Sequence, residues 1–109
     1  MEFEHKVVAI TGAAGGIGRE LCAFFGGHGA AVAALDKSDG VLALADRLRQ
    51  QRIRIEPAIV DISDAAAVGA AFAAAAAALG PVDILINTAG VTRHPTLEHT
   101  TPAGFREDV

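Results

Sequence analysis

The chain has 109 residues, 51% of them apolar, with a formal charge of −4 and a mean hydropathy of +0.37. That length bounds it to one domain at most, and the acidic balance excludes a sequence-independent grip on nucleic acid, which needs a basic face. A single cysteine, Cys22, excludes an intrachain disulfide or a cysteine-rich metal site, and Gly, Asp, Arg and Pro interrupt the apolar residues so that no run of about 18 could cross a bilayer.

The start, Met1-Glu2-Phe3-Glu4-His5-Lys6, lacks the basic-then-apolar order of a secretory leader, so a cytoplasmic location is expected. From there strand and helix patterns alternate, as in a parallel sheet wrapped by helices. Lys6-Val7-Val8-Ala9-Ile10 reads as the first strand, residues 6–10. It runs into Thr11-Gly12-Ala13-Ala14-Gly15-Gly16-Ile17-Gly18, a turn of small residues that opens a helix. Small residues let the backbone bend sharply and approach an anion, while the first N–H groups of the helix are unpaired and sit at its positive end. Ile17, Leu21 and Phe24 or Phe25 form the expected apolar face of that helix, Cys22 reads as a small buried hydrophobe, and Gly26-Gly27 is the expected stop.

The second strand, residues 30–35, is apolar on both faces and ends at Asp36. Ser38 is placed as the cap of a second helix with the stripe Val41, Leu44, Ala45 and Leu48. The third strand, residues 53–60, contains Pro57 and neighbours Arg52 and Arg54, which suits the outer edge of the sheet. Arg47, Arg49, Arg52 and Arg54 are interleaved with no aromatic residue and read as a solvated helix end. Ser63 is the expected cap of a third helix through the alanine tract 70–78, with Val68, Phe72 and Leu79 inward and Gly80-Pro81 as its end. The fourth strand, residues 82–86, opens with Asp83, read as a partner for turn amides, and leads into Asn87-Thr88-Ala89-Gly90. A loop over 91–100 and a helix starting near Pro102 follow. Right-handed crossovers give the strand order 3-2-1-4, the first half of a Rossmann-like sheet plus one strand, so the α/β domain is expected to be truncated just after that helix begins. His5 and His28 read as surface residues.

Each motif therefore falls at the carboxyl end of a strand, where open α/β sheets bind ligands. The glycine spacing, Gly12-x-x-x-Gly16-x-Gly18, is followed by Arg19-Glu20, which supplies neither the lysine nor the hydroxyl of a P-loop. Asp36 stands about twenty residues beyond the turn, where a carboxylate accepts hydrogen bonds from ribose hydroxyls. Asp61-Ile62 can meet an adenine amino group and ring, and the small residues after Asn87 let a cofactor lie against the backbone. A dinucleotide accounts for all of these. A methyltransferase using S-adenosylmethionine also places glycines after its first strand and an acid after its second, and stays open on the residues alone.

On these motifs the chain resembles the short-chain dehydrogenase/reductase family over essentially its whole length, as the amino-terminal, cofactor-binding part. The resemblance implies that Gly12, Gly16 and Gly18 meet the pyrophosphate, that Asp36 selects NAD, that Asp61 and Ile62 lie at the adenine, and that residues 87–90 match the family's Asn-Asn-Ala-Gly with Thr88 departing from it. The expected cofactor-binding residues are Thr11, Gly12, Gly15, Gly16, Ile17, Gly18, Asp36, Lys37, Asp61, Ile62, Asn87, Ala89 and Gly90. NAD is preferred to NADP because Asp36 would repel a 2′-phosphate and Gly15 offers no basic side chain, Lys37 being the one ammonium placed to reach it. The family's reaction is hydride transfer between nicotinamide and a small carbonyl or alcohol, in a homo-oligomer without nucleic-acid or membrane partners. A non-catalytic nucleotide-binding module, or a subunit completed by another chain, is the alternative.

The family's acid/base is a tyrosine helped by a lysine, a serine and an asparagine, and this chain has no tyrosine. Ser38 and Ser63 read as caps, Lys6 and Lys37 come too early, and Phe105 matches an aromatic shortly before the asparagine, so no catalytic residue is assigned. His94 and His99 beside Glu98 read as exposed loop residues, and no metal is expected.

Overall fold

The computed structural model describes residues 2–88. In chain order the elements are β1 (Val7–Thr11), α1 (Gly16–Gly27), β2 (Ala31–Asp36), α2 (Gly40–Arg49), β3 (Ile55–Ile59), α3 (Ala65–Leu79) and β4 (Ile84–Asn87). The strands form one parallel sheet in the order β3-β2-β1-β4, as right-handed crossovers require. The expectations for Ala89, Gly90, the loop 91–100 with His94, Glu98 and His99, the helix at Pro102 and Phe105 lie outside the described residues.

Alternation along the strands divides the core into two layers. Val8, Ile10, Val32, Ala34 and Ile55 face α1 and α2, packing with Cys22, Val41, Leu44, Ala45 and Leu48. Ala9, Ala33 and Leu35 face α3, where Val68, Phe72, Ala75 and Leu79 cover them. β1 is buried at every residue and β2 at all but its last, Asp36, so both central strands lose their polar face, as the continuous apolar runs imply. β3 is an edge, with Pro57 opposite Ala34, and the guanidinium of Arg49 donates to the Ile55 carbonyl at 2.9 and 3.2 Å from α2.

Several expected details shift. In α1 the face toward the sheet is Gly18 and Cys22, with Leu21 and Phe25 half-buried beside them, while Ile17 and Phe24 are 47% and 49% exposed. A helix that meets the sheet through a glycine rotates its neighbouring bulky positions outward. The same helix ends at Gly27, as expected, with Gly29, at φ 99°, making the left-handed exit and Gly26 giving room to the Ile53 side chain. At α3 the cap is Asp64, which accepts from the Ala67 amide at 3.1 Å, because it stands three residues ahead of that amide and Ser63 does not. Ser38 accepts from the Gly40 amide at 3.1 Å, while Asp39 holds the cap position of α2 without a side-chain bond. Asp83 serves a strand amide: its carboxylate accepts from Val7 N and its own N–H donates to Val7 O, both at 2.8 Å, which fixes the start of β4 against β1.

Burial pushes the Cys22 thiol up to about 12. Its folded form is the neutral thiol, so this contribution to stability is intact below the ordinary value of 9.0 and is lost as pH rises from there toward about 12. Iodoacetamide at pH 8 should leave Cys22 unmodified in the folded protein and alkylate it promptly in urea; equal rates would contradict the burial. Arg52 follows α2 at φ 66°, in a turn where the amides of Gln51 and Ile53 both reach the Leu48 carbonyl. A left-handed non-glycine residue costs about 1–2 kcal/mol, part of which the extra freedom of an unfolded glycine takes back. Arg52→Gly should therefore stabilise by roughly 0.5–1 kcal/mol, read as a raised urea midpoint at unchanged slope; a lowered midpoint would contradict the strain.

Candidate functional site

Register places the motif-bearing strand ends side by side. Thr11 pairs with Leu35 on one side and Asn87 on the other, and Asp36 pairs with Ile59. The glycine turn, Asp36, Asp61-Ile62 and Asn87 thus share one end of the sheet.

The turn begins with Gly12 at φ 67°, a conformation suited to a residue without Cβ. Its shape is set by backbone bonds from Ala13 N to Leu35 O at 3.0 Å and from Gly15 N to Gly12 O at 3.1 Å. Gly18 lies against the turn so closely that a Cβ there would collide with the Gly12 carbonyl. Gly16 is different: a Cβ there would have nothing within 4 Å. Gly15 caps α1 without a side-chain bond, so among the described residues no cap side chain is bonded to the helix's first amides. Ile17 is exposed at the mouth of this cradle.

Asp36 is half-buried and uses each oxygen once: Oδ2 accepts from Ala14 N at 2.8 Å and Oδ1 from Ser38 N at 2.9 Å. A carboxylate has about four lone-pair sites, so capacity for ribose hydroxyls remains. Asp61, fully exposed, accepts from Ser63 through its amide at 2.9 Å and its hydroxyl at 2.8 Å. The Ser63 amide, then its hydroxyl, and lastly the nearby Lys37 ammonium hold the Asp61 carboxyl below the usual carboxylate range. Ile62 is 42% exposed beside it. At the other flank Thr11 Oγ1 donates to Asn87 Oδ1 at 2.6 Å, and Thr88 Oγ1 donates to Thr11 O at 2.6 Å.

Ser38 and Ser63 also stand at this end of the sheet, although in the sequence they read only as helix caps. Their signal is a repeat: Asp36-Lys37-Ser38 and Asp61-Ile62-Ser63 are both Asp-x-Ser, and in both the aspartate accepts from the serine amide two residues on, the bond of an Asx turn. A separate cleft at the amino ends of the strands is lined by Lys6, Arg52 and Arg54 together with the last residues of α1. The partial negative charge of helix carboxyl termini accounts for cations there.

The model of the short chain dehydrogenase family matches residues 6–108. A D-threitol dehydrogenase of Mycolicibacterium smegmatis is 44% identical over 92 residues, covering 84% of this chain and 35% of the relative. A galactitol 2-dehydrogenase (L-tagatose-forming) of Cereibacter sphaeroides is 41% identical over 108 residues, covering 96% of this chain and 41% of the relative. Among solved structures, a hydroxysteroid dehydrogenase from Escherichia coli superposes with a TM-score of 0.75 at 32% identity, covering 78% of this chain and 37% of that one. The chain thus spans little more than a third of the length of these relatives. A glycine turn between β1 and α1, an acid at the end of β2 and the strand order β3-β2-β1-β4 agree with the match across residues 6–108: the chain belongs to the short chain dehydrogenase family.

Proposed function

We propose that residues 1–109 form the amino-terminal part of an NAD(P)-binding Rossmann domain, and that the complete protein is an NAD-dependent oxidoreductase acting on a small alcohol or carbonyl compound. The bound nicotinamide supplies the hydride acceptor or donor; the residues described here hold and orient the dinucleotide. The observation that carries this reading is Asp36, a carboxylate at the end of β2 that is bonded to the turn through Ala14 N. A 2′-hydroxyl finds an acceptor there, whereas a 2′-phosphate meets like charge. The open space over Gly16 and the uncapped start of α1 fit a pyrophosphate, and exposed Ile62 beside Asp61 fits an adenine. Ile17, Lys37 and Asn87, with Ala89 and Gly90, complete the proposed contacts, and a homo-oligomer in the cytoplasm is the setting this reading expects. Two relatives are named for polyols, threitol and galactitol, which makes a polyol the first substrate class to assay.

Titration of the complete protein with NADH, NADPH and S-adenosylmethionine, followed by calorimetry, tests the reading. NADH should bind at least about tenfold more tightly than NADPH, a difference of about 1.4 kcal/mol. Asp36→Asn should narrow that ratio by weakening NADH and admitting NADPH. Binding of S-adenosylmethionine alone, or equal affinity for the two nucleotides, would contradict it. Gly18→Ala should abolish nucleotide binding, because the new Cβ forces α1 away from the Gly12 carbonyl; Gly27→Ala, which meets nothing within 4 Å, is the control expected to leave binding intact.

A further inference from the structure

We propose that Thr88 is a positioning residue for the dinucleotide: its hydroxyl locks the peptide planes around Gly12, on which the turn that leads to the first amides of α1 is built. The inference rests on the reading of the turn as a pyrophosphate site. Gly12 is at once the residue that begins the turn and the one least able to hold its own conformation, since a glycine at φ 67° has many other accessible states. Rotation of either neighbouring peptide plane would shift the turn beneath the first amides of α1. What opposes it is external.

The Thr11 carbonyl, on the plane before Gly12, accepts from Thr88 Oγ1 at 2.6 Å and from Thr88 N at 3.3 Å. The Gly12 carbonyl, on the plane after it, lies 3.3 Å from the same hydroxyl and accepts from Gly15 N at 3.1 Å. That second plane is held at its other end by Ala13 N donating to Leu35 O. A hydroxyl has one proton, so the short bond to Thr11 O carries the interaction and the Gly12 oxygen shares it at longer range. The arrangement needs a short side chain. Thr88 follows directly on β4, beside Asn87, which pairs with Thr11, and the Thr hydroxyl sits one bond from Cβ, placing it on the adjacent carbonyl; β-branching leaves few rotamers in which to lose that contact. Thr88 therefore acts through the turn.

The test compares Thr88→Val, which keeps the shape and removes the hydroxyl, with Thr88→Ser, which keeps the hydroxyl. In the complete protein the Kd for NADH should rise about fivefold in Thr88→Val and stay within about twofold of the parent in Thr88→Ser, as expected for one hydrogen bond. In ligand-free protein, amide exchange at Ala13 and Gly15 should be faster in Thr88→Val alone. If Thr88→Val does not fold, Thr88→Ala against Thr88→Ser makes the same comparison. Unchanged affinity in Thr88→Val, or equal losses in Val and Ser variants, overturns the proposal. Should the parent fail to bind NADH, the cofactor reading falls, and the ligand-free exchange still decides the role of Thr88: equal rates in parent and Thr88→Val overturn it.

Discussion

The contact of Gly18 with the Gly12 carbonyl is the constraint on which the rest of this sheet depends. Backbone meets backbone there with no room for a β-carbon, which brings the start of α1 down onto the end of β1. A helix anchored at that point has its rotation decided. Cys22, one turn on, must face the sheet, and Ile17 and Phe24 must turn out. The geometry that makes the first amides of α1 accessible is thus the same geometry that seals the core between α1 and β1. The packed core and the open start of α1 are two consequences of one missing side chain.

Around that contact the polar groups divide by sign. The positive end of α1 stands over the turn with no side chain capping it, while Asp36 and Asp61 stand at the ends of the next two strands, each occupied in part by an Asx turn. A ligand spanning the two regions must be anionic at one end and rich in hydroxyl and amino donors at the other, which describes a dinucleotide. The Asx turns do more than fill lone pairs. Each fixes its carboxylate on a chain that is leaving the sheet, and in Asp36 the second oxygen bonds the glycine turn itself. The proposed selectivity for the ribose and the order in the turn therefore share a side chain, so a substitution aimed at the first also disturbs the second.

What was legible in the sequence follows from how local each signal is. Strand order, the buried central strands and the stripe Val41, Leu44, Ala45 and Leu48 depend on periodicity and connection handedness, and the structure has them as expected. The face of α1 followed its apolar pattern at Leu21 and Phe25 and not at Ile17, because a close approach at Gly18 outweighs the tendency of isoleucine to be buried. Ser63 and Asp64 are both cap formers, and adjacent candidates can be separated only by which one reaches the amide of Ala67. Asp83 was read from its neighbours in sequence, yet its partner Val7 is 76 residues away. The site motifs were legible as residues and spacings; the bonds that hold them, from Asp36 to Ala14 and from Thr88 to Thr11, join segments that no window of sequence contains together.

Those long-range bonds give the two ends of the sheet different tasks. At the amino ends, Asp83 bonds Val7 in both directions and Phe3 packs edge-on against Phe24 and Phe25, so the strands are pinned by groups that satisfy one another. At the carboxyl ends Asp36 and the first turn of α1 are only partly satisfied by the described residues. Unsatisfied polar groups are tolerable where water reaches them and become favourable contacts when a ligand of matching charge replaces that water. A fold that concentrates its mutual bonds at one end can leave the other end open without losing order there, provided something fixes the open turn. In this chain that role falls to side chains on the flanking strands, Asp36 at the end of β2 and Thr88 after β4, which reach the turn from opposite sides and hold it beneath the first amides of α1.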